Sequence, residues 1–88
     1  MHQETFLIIS EGGLDVKTIT LLVNTASEFQ SSTKFSVGGR QADAKSIINL
    51  MALNVKKGQE VTIEVNGDDF KEAFNAIVNI LRSTNSIQ

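Results

Sequence analysis

Cysteine is absent from the 88 residues, which excludes disulfides, thiolate metal sites and cysteine nucleophiles together while leaving the compartment open. Histidine is reduced to His2, which stands near a terminus with no acidic or histidine cluster around it and reads as a solvated bystander. The carboxylates show no metal-loop spacing, so neither a metal nor a cofactor is expected. An excess of positive charge is also missing: eight basic against ten acidic residues give a net charge of -2, too little for direct nucleic-acid or anionic-membrane binding. No apolar run approaches the ~20 residues that span a bilayer. Met1 to Thr5 lacks the basic and apolar regions of a secretion signal, so a cytoplasmic protein without a membrane partner is expected.

What remains is globular in composition. With 41% hydrophobic residues and a mean hydropathy of -0.01, the chain can bury a core, and residues 1–88 are expected to form one domain that folds alone. Thr5 to Ser10 reads as a strand broken by Glu11-Gly12-Gly13. From Val16 to about Phe29, apolar residues at Val16, Ile19, Leu22, Val23, Ala26 and Phe29 follow one helical face. Lys34-Phe35-Ser36-Val37 alternates before Gly38-Gly39, so two strands are expected to pair around those glycines. Ser46 opens a short apolar helix, Ile47 to Leu53, and Glu60 to Val65 alternates without a break. Asp68 or Asp69 can cap a last helix whose stripe is Phe70, Ala73, Phe74, Ile77, Ile80 and Leu81. The order β-α-β-β-α-β-α predicts an α+β fold: an open-faced sandwich with a four-stranded antiparallel sheet, three helices on one face and the other face wet.

Two helix entrances carry the candidate chemistry. At Gly12-Gly13-Leu14-Asp15-Val16-Lys17-Thr18 a loop runs into a helix, where unpaired amides and the macrodipole favour an anion. Asp15 already supplies a negative charge and is a good capping residue, and Lys17 can steady an anion as a point charge. At the second entrance Ser46 is a favoured cap. Ile47, Ile48, Leu50, Met51 and Leu53 spread over roughly 220° at 100° per residue, wider than one buried stripe needs, so some of Ile47, Ile48 and Met51 should face solvent. Phosphate on Ser46 would be favoured by the helix end and would change binding more than folding.

The length, the element order, the segment from Ala44 to Leu53 and the later Lys57-Gly58 with Glu60-Val61-Thr62-Ile63 resemble the HPr family of the bacterial sugar phosphotransferase system. Lys45-Ser46-Ile47 with Leu50-Met51 is similar to the regulatory serine region of Gram-positive HPr proteins, and Thr25-Ala26-Ser27 fits as well. Where that family has glycine, an aliphatic residue, the phosphorylated histidine, alanine, arginine and proline, this chain has Gly13, Leu14, Asp15, Val16, Lys17 and Thr18. The carrier histidine, its arginine and the proline are lost together.

A subclass, the catabolite-repression HPr proteins, similarly lacks the histidine and keeps the serine. The resemblance implies a non-enzymatic regulatory protein. Ser46 would be modified from ATP by a bifunctional HPr kinase/phosphorylase, with Ile47, Ile48 and Met51 as the docking patch. A LacI-type catabolite-control regulator would then bind a surface that includes Lys17. Two alternatives follow from the residue at the histidine place. Asp15 accepts phosphate from enzyme I as an acyl phosphate, or it imitates the phosphorylated carrier permanently with about half the charge of a phosphate dianion.

Overall fold

Alternation of buried and exposed side chains builds the sheet. The computed structural model describes residues 1–88. Its strands are β1 (His2–Leu7), β2 (Ser32–Val37), β3 (Arg40–Asp43) and β4 (Glu60–Asn66), antiparallel in the order β1-β4-β2-β3. The register sets Phe6 opposite Val61, and Phe35 between Ile63 and Ala42, so large apolar groups share one face. Helices α1 (Val16–Ala26), α2 (Ile47–Leu53) and α3 (Phe70–Ser83) complete the predicted element order. They close that face over one cluster of 22 buried apolar residues. The opposite face is polar, with Thr5 and Thr62 hydroxyls 2.8 Å apart across β1 and β4.

Several boundaries differ from the sequence expectation. The first strand runs from His2 to Leu7 in place of Thr5 to Ser10. Ile8 still exchanges backbone bonds with Gln59 and Gly58, but Ile9 donates to the Ser86 carbonyl at 2.8 Å, so the chain leaves the ladder to meet the C-terminal segment. Helix α1 stops at Ala26, where Phe29 donates back to the Ala26 carbonyl in a tighter turn; Phe29 still packs on the core, from outside the helix. Val16, placed by periodicity on the buried stripe, is 59% exposed. The stripe that buries is Ile19, Leu22, Val23 and Ala26.

The entrance to α3 holds the most consequential correction. Asp69 stands at the cap position but makes no side-chain cap bond. Its carboxylate accepts instead from the backbone N–H of Gln30 at 3.0 Å and of Ser31 at 2.9 Å, and from the Ser31 hydroxyl. Residues 38 and 39 positions apart in sequence are thereby tied together. Those donors, the Ser31 hydroxyl foremost and the Gln30 amide next, hold the Asp69 carboxyl below its ordinary value of 3.8. A lowered folded value means stabilisation that is complete above 3.8 and disappears as pH falls through the folded value. Asp69→Asn should therefore lower the urea midpoint at neutral pH and shrink the further loss on acidification below pH 3.8. Titrating the midpoint against pH for both proteins checks this, and parallel curves would remove Asp69 from the acid response.

Candidate functional site

Asp15 caps α1 as predicted. Its backbone is extended at φ -82°, ψ 175°, and its Oδ1 accepts from the Thr18 N–H at 2.9 Å. The position is set from behind by Gly13, at φ +64°, whose N–H donates to the Ser10 carbonyl. A Cβ at residue 13 would strike the Val55 carbonyl and lie 2.8 Å from the Lys56 Cα. The Leu14 N–H meets that same Val55 carbonyl at 3.1 Å. The junction is thus clamped to the segment following α2 before the helix begins.

The exposed Asp15 carboxyl is held below its ordinary value of 3.8, chiefly by the bonded Thr18 amide, with the charge of Lys17 adding a smaller pull. At neutral pH it is a carboxylate with Oδ1 engaged by Thr18. Lys17 and Val16 flank it and are exposed.

Ser46 is the observed cap of α2, at φ -120°, ψ 115°. Its Oγ accepts twice from Asn49, from the backbone N–H at 3.2 Å and from Nδ2 at 2.9 Å. Both contacts use the oxygen as an acceptor, so the hydroxyl proton is committed to neither. Asn49 is a participant the sequence reading missed, although its place three residues beyond a capping serine is where such a donor belongs.

Beside Ser46, Ile47 is 41%, Met51 46% and Ile48 79% exposed, whereas Leu50 and Leu53 are buried. The expectation that part of the helix faces solvent is met by all three. A shallow hollow of about 470 Å³ continues the surface between Ile48, Asn49, Ala52 and Arg40. Arg40, at the start of the edge strand β3, also escaped the sequence reading, since only the α2–β3 packing brings it near. Helices α1 and α2 touch, with the Asp15 entrance against the segment that follows α2 and the Lys45 ammonium, next to Ser46, on the Phe29 carbonyl that follows α1. No group of three or more His, Cys, Asp or Glu side chains is placed to hold a metal ion, and no helix is long and apolar enough to cross a membrane.

These geometries have close counterparts among known proteins. Over 99% of both chains the structure superposes on the histidine-containing phosphocarrier protein of Mycoplasma, with a TM-score of 0.96 and 32% identity. HPr from Thermoanaerobacter tengcongensis is 33% identical over 100% of this chain and 99% of its own, with a TM-score of 0.89. Crh, the Bacillus subtilis catabolite repression protein, is 31% identical over 94% of this chain and 95% of its own, with a TM-score of 0.73. A family model for the phosphorylation site of the phosphotransferase-system HPr component matches residues 2–83. With that match spanning almost the whole chain and the fold agreeing throughout, the protein belongs to the HPr family of the bacterial phosphotransferase system.

Proposed function

We propose that this HPr-family protein is a regulator without phosphohistidine carrier activity, acting in the cytoplasm through phosphorylation of Ser46 and binding of a partner to the surface around it. The observation that carries the proposal is the pairing of an exposed apolar patch, Ile47, Ile48 and Met51, with a capping Ser46 hydroxyl. It sits in a chain whose carrier position is Asp15. The family resemblance supplies the partners: an HPr kinase/phosphorylase that uses ATP, and a LacI-type catabolite-control regulator.

Chemically, the kinase would break the bond between the γ-phosphorus and ADP as the Ser46 Oγ–P bond forms, with the hydroxyl proton leaving to a base. Phosphate brings about -1.5 to -2 charges and three acceptor oxygens. Asn49 Nδ2, now on Oγ at 2.9 Å, is positioned to donate to one of them. The protein itself catalyses nothing in this scheme; it is modified and then bound. Lys17 contributes a cation on the neighbouring helix.

Incubation with ATP and the kinase should add one phosphate, mapped to Ser46 by fragmentation, and Ser46→Ala should remain unmodified and unable to bind the regulator. Met51→Ala, at a half-exposed position, should leave folding nearly unchanged and weaken binding about tenfold, the effect of about 1.4 kcal/mol of lost apolar contact. Unchanged regulator affinity in both variants would sink the proposal.

The exposed Asp15 carboxylate at the carrier position supports a second reading, in which a fixed carboxylate imitates the charged carrier. Asp15→Asn should then compete less well for an HPr partner such as enzyme I, and equal competition by the two proteins would dismiss the charge. Acceptance of phosphate by Asp15 itself predicts labelling by radioactive phosphoenolpyruvate and enzyme I.

A further inference from the structure

The chain contains seven asparagines, and only Asn66 is followed by glycine. Asn66 is exposed at the very end of β4, held in the last register opposite Ser32, whose hydroxyl donates to its carbonyl at 3.3 Å. Gly67 has no side chain to shield its nitrogen, and its N–H donates to no acceptor in the protein. Elsewhere the nucleophile that a side-chain amide would need is withheld. Asn24, Asn49, Asn75 and Asn79 lie inside helices, where the next amide is engaged in the helical ladder. The Ser86 N–H after Asn85 donates to the Leu81 carbonyl at 2.8 Å, and Asn54 precedes the branched, buried Val55.

We propose that Asn66-Gly67 is a site of spontaneous deamidation, a covalent modification that needs only water. The Gly67 nitrogen, its proton taken by hydroxide, attacks the Asn66 side-chain carbonyl carbon a few bonds away. The N–Cγ bond of a succinimide forms, the Cγ–Nδ2 bond breaks and ammonia leaves. Water then opens the ring at either carbonyl and yields aspartate or isoaspartate. One water is consumed, one ammonia released and one negative charge gained.

The surroundings make that change matter. The new carboxylate joins Asp68, Asp69 and Glu72 within seven residues, and like charges crowd the group that holds the Gln30 and Ser31 amides. Isoaspartate also lengthens the backbone by one methylene beside Gly67. That glycine sits at φ +152°, so close that a Cβ there would be 2.6 Å from the Ser31 Cα. Ageing at Asn66 thus acts on the tie between the start of α3 and the end of the α1 loop.

The folded full-length chain and its Asn66→Gln variant are to be incubated side by side at mildly alkaline pH and physiological temperature. Ion exchange, intact mass, fragmentation and isoaspartyl methyltransferase labelling are followed over time. Expected is an acidic form of the wild type, heavier by the difference between oxygen and NH, carrying its change at residue 66, with Asn66→Gln unmodified over the same period. Modification centred on Asn85 or spread over several asparagines, an acidic form arising equally fast in Asn66→Gln, or a wild type as inert as the variant would each overturn the proposal.

Discussion

Phe35→Ala is expected to cost about 3–5 kcal/mol, the range for emptying a large aromatic site in a packed interior. Phe35 is fully buried on β2, with Ala42 and Ile63 on its two flanks in the sheet. Neighbours held by strand pairing on both sides cannot collapse into the space, so the cavity persists, which places the cost in the upper part of that range. A domain of this size is stable by only about 5–15 kcal/mol. The variant should therefore melt far below the parent, by about 4–8 °C for each kcal/mol. Thermal and urea unfolding measure it, and a loss below about 1 kcal/mol would mean that the α3 side repacks into the gap.

Gly13→Ala is the second large effect, and it reaches the functional surface. The residue sits at φ +64°, where a side chain costs about 1–3 kcal/mol in backbone strain alone. The added Cβ meets the Val55 carbonyl, which already receives the Leu14 N–H. Backbone on both sides is hydrogen-bonded, so relief requires the loop before α1 to lift away, carrying Asp15 and Lys17 with it. The expected result is lower stability together with a loss of the Thr18 amide's protection from hydrogen exchange, because its partner is Asp15 Oδ1. Lowered stability with undiminished Thr18 protection would show that strain is absorbed on the Val55 side.

The parts legible in sequence were those decided within a few residues. Ser46 and Asp15 announced their caps because a capping oxygen needs only an amide about three positions on, and the observed partners are Asn49 and Thr18. Glu60 to Val65 showed its strand through strict alternation, and the excess of apolar residues in α2 foretold an exposed patch. What stayed hidden was decided by distant chain. Asp69 had the local marks of a helix cap, but three donors at Gln30 and Ser31 outcompete the first turn for its oxygens. Strand β1 pairs through residues such as His2 and Glu4, which have little strand character of their own and are held by Val65 and Ile63 opposite. The approach of Gly13 to Val55, and of Arg40 to Ile48, likewise depends on packing that no local pattern encodes.

The strand order has a consequence for how the chain is made. Strand β4 is the last strand in sequence and occupies the interior of the sheet, pairing with β1 on one edge and β2 on the other. On a ribosome the β2–β3 hairpin can close as soon as it emerges, but β1 has no edge to join until residues 60–66 leave the exit tunnel. Closing that long loop is an entropic cost met late and all at once. Until then the first strand and the hairpin are separate pieces with open edges, available to a chaperone or to a neighbouring nascent chain, and arrival of a single strand joins them.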